Sequence, residues 1–174
     1  MARWVVLRVA GLIANAMFTR AIMFGVLLHF LNTVFKKASF AHISDPTELD
    51  SPDQPGSHIR MKQSTLQKIY KAQKQLGYLL NFTSGVRSEA HNQKVGGVSN
   101  SAHLNGWAVD VDTRGKNLEQ IANVLYDVGF RRFGIGQNAI HVDDDPTKPS
   151  PALWYFNNGS ISQNSKIYKL VHGS

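Results

Sequence analysis

Two short stretches that place histidine and aspartate among apolar residues constrain this chain most. The first, 101–112, has the sequence SAHLNGWAVDVD, and the second, 140–145, has the sequence IHVDDD. His103 and Asp110 lie seven residues apart, and His141 follows about thirty residues later. Two imidazoles and one carboxylate form the protein ligands of many catalytic zinc sites, which keep a fourth position for water. The pattern indicates a metal centre, and structural histidines are the alternative interpretation.

The composition limits how such a centre could be built. The chain has 174 residues, of which 43% are apolar and 18% charged, so one globular domain with an appendage is expected. It contains no cysteine. Disulfides and thiolate ligands are therefore excluded, and any metal must be bound by histidine or carboxylate side chains.

The net charge of +7 is concentrated at the N-terminus. Residues 1–44 contain five bases and no acid, whereas residues 45–174 contain 14 bases and 12 acids. The body of the protein thus lacks the basic surface that a nucleic acid would require, and we expect no nucleic-acid partner.

The N-terminal residues 4–35 are mostly apolar. Their cleanest run, 21–35, would extend only about 22 Å as a helix, short of a hydrocarbon core of roughly 30 Å. It could be an uncleaved membrane anchor, a secretory signal with a small-residue site at 39–41, or an amphipathic helix at a membrane surface. An ordinary core helix is the fourth alternative. We expect 1–44 to be a helical, membrane-associating or signal-like segment.

The remaining chain is predicted to form an α+β fold, a small antiparallel sheet flanked by helices. Three prolines and four acids within 44–57 indicate a linker, assigned to 45–60, before a domain at 61–174. Apolar periodicity and turn residues predict the elements in that domain. Helices are expected in 61–80, 89–94 and 117–128, and strands at 81–84, 107–112, 130–136, 139–144 and 152–156.

Strand alternation sorts the polar residues onto faces. In the strand 107–112, Asp110 and Asp112 share one face, and in the later strand His141 and Asp143 share one face. Arg87 is expected at a strand-to-helix turn, where arginine is either a surface charge or a guanidinium positioned to bind a carboxylate.

Several of these motifs together resemble a known family. Ser101-x-His103-x-x-Gly106-x-Ala108-x-Asp110 is preceded by SGVRS at 84–88 and followed by GIG at 134–136 and IHVD at 140–143. This combination is similar to the zinc D-alanyl-D-alanine carboxypeptidases and the phage endolysin L-alanyl-D-glutamate peptidases, particularly the small phage and prophage branch. The resemblance covers about residues 66–156 and implies the fold that these peptidases share with the Hedgehog signalling domain.

The resemblance also implies roles for individual residues. It makes His103, Asp110 and His141 the ligands of a zinc ion. Arg87 is similar to the family arginine that binds a substrate carboxylate or carbonyl, and Ser101 to the residue that hydrogen-bonds substrate or orients the first ligand.

One position departs from the family pattern. Many relatives carry an acidic general base three residues before the last histidine, and Asn138 stands there. An amide cannot accept a proton from water. We therefore predict Asp143 as the general base, with Glu89 in reserve, and regard Asp112 and His91 as supporting or structural residues.

The implied function is zinc-dependent hydrolysis of an amide bond in the peptide stem of peptidoglycan, by a carboxypeptidase or an endopeptidase. Such an enzyme would act at the periplasmic or cell-wall side of the inner membrane, which would give the apolar segment a purpose. The alternative is a zinc-containing module of the same fold that binds cell-wall peptide or a protein without cleaving it. Calcium at 143–145 is a weaker possibility, because this acidic run lacks the spacing of an EF-hand loop.

Overall fold

The computed structural model describes Ile43 and residues 45–173. The expectations for residues 1–44 therefore lie outside the described residues, apart from Ile43, which is buried in the core. Within the described part, no helix is both long and apolar enough to cross a membrane.

Four helices and five strands, together with three short 3-10 turns, form the fold of the described residues. The helices are α1 (Gln63–Leu76), α2 (Glu89–Lys94), α3 (Leu118–Asp127) and α4 (Lys166–His172). The strands are β1 (Phe82–Ser84), β2 (Ala108–Asp112), β3 (Arg132–Ile135), β4 (Ala139–Asp143) and β5 (Ala152–Tyr155). The 3-10 turns are Pro46–Leu49, Ser57–Arg60 and Ala102–Asn105.

The five strands form one sheet in the order β1-β2-β4-β3-β5, and the predicted α+β class is confirmed. Pairing is antiparallel except between β3 and β5, which run parallel. The exception follows from the connection at 144–151. Because β4 is antiparallel to β3, it ends where β3 begins, and a short connection starts β5 at that same end of the sheet.

Capping residues stabilise three of the helix ends. The C-cap of α1 is Gly77, with a φ of 76°, and its N–H donates to the carbonyl of Gln73. Ser88 caps α2 by accepting from the N–H of His91, and Asn117 caps α3 by accepting from the N–H of Gln120. The helix α4 was not predicted, because its seven residues carry only a weak apolar pattern.

Residues 45–60 differ from the expectation of a linker. Leu49 is completely buried, and its carbonyl accepts from the N–H of Val86. The carboxylate of Glu48 accepts from the N–H of Phe82, and that of Asp53 accepts from the hydroxyl of Ser88. The segment therefore packs on β1 and the following turn as part of the domain. Its prolines and acids stabilise tight turns rather than a free connection.

The sheet has one apolar face and one polar face. Val109, Val111, Ile140 and Val142 are fully buried on the apolar face, in the core that includes residues of α1 and α3. Burial of each such side chain contributes about 1.5–3 kcal/mol. Because strand side chains alternate, Asp110 and His141 must project from the opposite face. The core thus fixes which face carries the polar residues.

Candidate metal centre

One row of residues crosses all five strands on the polar face of the sheet. In strand order it contains Ser84, Asp110, His141, Gly134 and Trp154, each directly opposite the next in the pairing register. Neighbours in such a row have Cβ atoms roughly 4.5–5.5 Å apart. The register alone therefore brings Asp110 and His141 together, although they lie thirty-one residues apart in sequence.

His103 reaches the row from outside the sheet. It lies in the Ala102–Asn105 turn, which Ser101 caps and Gly106 ends with a φ of 74°. Its Nδ1 donates to the carbonyl oxygen of Gly85 over 2.6 Å, so Nε2 is left to face the row. The side chain is almost completely buried. The turn and the Gly85 carbonyl thus fix both the position and the ring orientation of this histidine.

Three donor atoms converge at this point. Nε2 of His103 lies 3.1 Å from Nδ1 of His141 and 3.2 Å from Oδ1 of Asp110, and the latter two atoms are 2.8 Å apart. Zinc in four-coordinate sites, with bonds of roughly 2.0–2.2 Å, holds its ligand atoms about 3.3–3.5 Å apart. The three atoms therefore need only small outward shifts to bind one zinc ion. Among the described residues, this is the one cluster of His, Asp and Glu that could hold a metal.

The electrostatics of the cluster favour a bound cation. Burial would raise the pKa of Asp110, but the charges and hydrogen bonds of the two histidines outweigh it and hold the pKa far below its usual value. Burial lowers the pKa of His103. Burial also acts to lower the pKa of His141, yet its hydrogen bonds to Asp110 and Asp143 raise the pKa above its usual value. The cluster thus offers a carboxylate and a neutral imidazole to a positive charge.

Arg87 contacts the second oxygen of the Asp110 carboxylate. Its Nε donates to Oγ of Ser84 over 2.9 Å, and its Nη2 donates to Oδ2 of Asp110 over 2.5 Å. Asp110 therefore directs one oxygen at the cluster and the other at the guanidinium. Nη1 of Arg87 donates no hydrogen bond to any described residue. Nε and Nη2 therefore hold the guanidinium in place, and Nη1 is left to donate to another acceptor.

Asp143 contacts the far nitrogen of His141. Its Oδ2 lies 3.2 Å from Nε2 of His141, and its Oδ1 accepts from Nε of Arg132 over 2.9 Å. Burial would raise the pKa of Asp143, but His141 and Arg132 lower it below its usual value. The structure thus brings the predicted base to the cluster, but to the ring nitrogen opposite the one that faces the candidate metal position.

The other residues that the sequence singled out do not contribute donor atoms to this cluster. Oγ of Ser101 accepts from the N–H of His103 at 3.4 Å, so it orients the turn that carries the first ligand. Asp112 pairs with the exposed Arg114 over 2.7 Å instead of joining the cluster. Glu89 is exposed on α2, and Asn138 is exposed in the turn between β3 and β4. Neither belongs to the three-residue cluster.

Three residues of this surface have no role in the sequence-based predictions, namely Arg132, Gly134 and Trp154. Arg132 lies directly opposite Asp143 in the β3–β4 pairing. The strands predicted at 130–136 and 139–144 leave a two-residue turn between them, which already implies that register, so the pairing could have been inferred from sequence. The contact between Trp154 and Gly134 instead depends on the parallel pairing of β3 with β5.

Comparison with known proteins agrees with the geometry. The sequence model of a family described as Peptidase M15 matches residues 36–143, more than half of the chain and all three donor residues of the cluster. A search of curated proteins finds no match to the sequence. The matched region contains the motifs on which the resemblance to zinc carboxypeptidases and endolysin peptidases rests. This chain belongs to the Peptidase M15 family.

Proposed function

We propose that this protein is a zinc-dependent peptidase that hydrolyses an amide bond in the peptide stem of peptidoglycan. Family membership supports a metallopeptidase. The observation that carries the proposal is the convergence of Nε2 of His103, Oδ1 of Asp110 and Nδ1 of His141 within 3.2 Å of one another. No other chemistry explains so well why two imidazole nitrogens and a carboxylate oxygen face one point in a partly buried surface.

In this proposal His103, Asp110 and His141 hold the ion. When bound, zinc is a Lewis acid that polarises a carbonyl group and makes water nucleophilic near neutral pH. The chain also holds both imidazoles through their other ring nitrogens. His103 is hydrogen-bonded to the carbonyl of Gly85, and His141 to the carboxylate of Asp143. Such outer hydrogen bonds set the tautomer and the direction of each ligand.

Arg87 is the proposed substrate anchor. Its guanidinium is held by Ser84 and Asp110, so little side-chain entropy remains to be lost when it binds an acceptor. The open Nη1 would donate to a substrate carboxylate or carbonyl oxygen beside the metal position. Ser101 supports the site by capping the turn of His103.

Asp143 is the proposed residue for proton transfer, with a second possible role. Besides Asp110, it is the one acid among the described residues that hydrogen-bonds a member of the cluster. Its contact with Nε2 of His141 also supports a role in orienting that ring. Replacement of Asp143 by asparagine separates the two roles.

A second candidate function is a non-catalytic module that binds zinc and cell-wall peptide. The observation that favours it is the exposed amide of Asn138 where many relatives carry the general base. In either case the peptide would be met outside the inner membrane. The acid-free segment 1–44 would then hold the protein at a membrane or direct its export.

The test is product analysis on purified peptidoglycan. The full-length protein, loaded with zinc, is incubated with peptidoglycan, and the released fragments are identified by mass spectrometry with and without a chelator. Loss of a terminal D-alanine would identify a carboxypeptidase, and a cut between L-alanine and D-glutamate an endopeptidase. His103→Ala should abolish cleavage, whereas His91→Ala, which changes a histidine of α2 outside the cluster, should not. Tight zinc binding without any cleavage would reject the enzyme and favour the binding module.

A further inference from the structure

We propose that Trp154 is a positioning residue for the metal ligand His141, and that Gly134 is glycine because the indole must lie over it to reach the imidazole. The inference rests on the proposed metal site, but it assigns a role to two residues that the ligand set does not include. Trp154 lies at the last position of the row that crosses the sheet, on the strand β5.

The indole occupies the space that a side chain on β3 would otherwise fill. Gly134 lies opposite His141 on one side and opposite Trp154 on the other. A Cβ atom added to Gly134 would lie 2.6 Å from Nε1 and 2.7 Å from Cε2 of the indole. Real contacts of this kind are never so short, so any other residue at 134 would displace the indole. Trp154 thus covers the glycine and lies beside His141 on that side of the row.

The same indole contacts the imidazole of His141. The two ring centroids are 5.2 Å apart, and the ring planes are inclined by 51°. This lies within the range in which aromatic rings attract each other in tilted or edge arrangements. The imidazole is then held on three sides, by Asp110 at Nδ1, by Asp143 at Nε2 and by Trp154 against the ring.

The contact with the indole restricts a tilt of the His141 imidazole that its two hydrogen bonds still allow. The second side-chain torsion of histidine has a broad energy profile, so hydrogen bonds at both nitrogens still allow the ring to tilt. Without the indole, the space above Gly134 would be open to the imidazole. A tilt in that direction would move Nδ1 of His141 away from the other two donor atoms. The indole therefore opposes the motion that would open the cluster.

Trp154 also packs against the group that holds Asp143. The guanidinium carbon of Arg132 lies 5.7 Å from the indole centroid, while Nε of the same arginine donates to Asp143. One aromatic side chain thus contacts both His141 and the arginine that holds its carboxylate partner. If Trp154 contributed only to the packing of an edge strand, its removal would lower stability and leave metal binding unchanged.

Metal binding by the full-length protein tests the proposal without any peptidase assay. Zinc affinity is measured by competition with a chromophoric chelator, and the visible spectrum of the cobalt-loaded protein reports the geometry of its ligands. The variants are Trp154→Ala, Trp154→Phe and Gly134→Ala. The control is Tyr155→Ala, which removes the neighbouring, exposed aromatic residue on the other face of β5.

Trp154→Ala is expected to weaken zinc binding about 10- to 100-fold, the usual cost of losing a residue that orients a ligand, and to alter the cobalt spectrum. Trp154→Phe should recover part of the affinity, because it restores a ring over Gly134. Gly134→Ala should resemble Trp154→Ala, because it displaces the indole, and it provides a second test if the alanine variant fails to fold. Tyr155→Ala should bind zinc like the wild type.

Wild-type zinc affinity and an unchanged cobalt spectrum in folded Trp154→Ala or Gly134→Ala would overturn the proposal. This failure is distinct from a failure of the proposed function. A wild-type protein that binds cobalt at His103, Asp110 and His141 but cleaves no stem peptide would reject the peptidase and leave this inference standing.

Discussion

Asp110 and His141 lie directly opposite each other on β2 and β4, with Oδ1 of the aspartate 2.8 Å from Nδ1 of the histidine. The pairing register of two antiparallel strands therefore brings together two of the three candidate metal ligands. A slip of either strand by one residue would turn its own member of this pair toward the core. The buried valines and isoleucines on the other face make such a slip costly, because it would expose them to water.

Replacing Asp110 by asparagine should remove zinc binding with little change of shape. The amide keeps the volume of the carboxylate but loses the charge that neutralises the cation, and it leaves Arg87 without its anionic partner. Loss of a residue that hydrogen-bonds a metal ligand usually weakens metal binding by roughly 10- to 100-fold. We expect the loss of a ligand itself to lower zinc affinity by more than that. Competition with a chelator measures it. Asp112→Asn is the matched control, since Asp112 lies two residues further on the same strand face but pairs with Arg114. An equal loss in both variants would contradict the assigned ligand set.

Asp143→Asn should distinguish proton transfer from support of His141. Because Asp143 contacts Nε2 of His141, we expect zinc affinity to fall about 10- to 100-fold together with the rate of peptide cleavage. The measurements are zinc competition and kcat on a stem peptide at saturating zinc. Asp144→Asn, which alters a carboxylate bound to Thr65 and Lys68, should leave zinc affinity unchanged. A collapse of kcat with full zinc affinity would instead assign Asp143 to proton transfer alone.

The residue pattern pointed to the three proposed ligands for a definite physical reason, and the family resemblance then assigned them to a metal. Each is a polar residue in an apolar surrounding, and strand alternation places Asp110 and His141 on the face opposite the core. Ser88 and Asn117 are likewise recognisable from sequence as helix N-caps, because capping depends on neighbouring residues alone. These features depend on local sequence.

What the sequence did not reveal depends on contacts between distant segments. The burial of Leu49 against Gly85 requires two segments about 35 residues apart to meet, and proline and acidic residues in 45–60 suggested a free linker instead. Likewise, the contact of Trp154 with His141 follows from the parallel pairing of β5, which no periodicity predicts. Turn composition reports local conformation, not what the turn packs against.

Gly106→Ala should destabilise the domain by on the order of 3 kcal/mol, from left-handed backbone strain together with steric overlap. Gly106 has a φ of 74°, and an added Cβ would overlap the carbonyl oxygen of Arg60 and lie 2.9 Å from its carbon. Gly115→Ala is the matched control, because its φ is 70° and nothing lies within 4 Å of the added atom. It should cost only about 1–2 kcal/mol.

Chemical denaturation of both variants measures the difference. Because Gly106 ends the turn that carries His103, its variant should also bind zinc less tightly, whereas Gly115→Ala should not. Equal losses of stability in the two variants would show that the contact with Arg60 is relieved by a small backbone shift.

Asp50 should make the stability of the domain depend on pH in the acid range. Its carboxylate accepts from the N–H groups of Gly56 and His58 and lies 2.8 Å from Nδ1 of His58. Burial would raise the pKa of Asp50, but these hydrogen bonds outweigh it and lower the pKa below its usual value. A carboxyl group whose pKa is lower in the folded state stabilises that state above its unfolded pKa of about 3.9, and this contribution is lost as the pH falls through the folded pKa.

Asp50→Asn should therefore lower the melting temperature at pH 7, and the difference from the wild type should shrink as the pH falls below about 4. Hydrogen bonds to a charged group contribute about 1.5–3 kcal/mol, and a domain of this size loses about 2–4 °C per kcal/mol, so a shift of several degrees is expected at neutral pH. Asp127→Asn, whose exposed carboxylate bonds only the exposed Lys166, should show a much smaller difference at every pH. A difference for Asp50→Asn that stays constant from pH 7 to pH 2 would show that its hydrogen bonds do not favour the charged form.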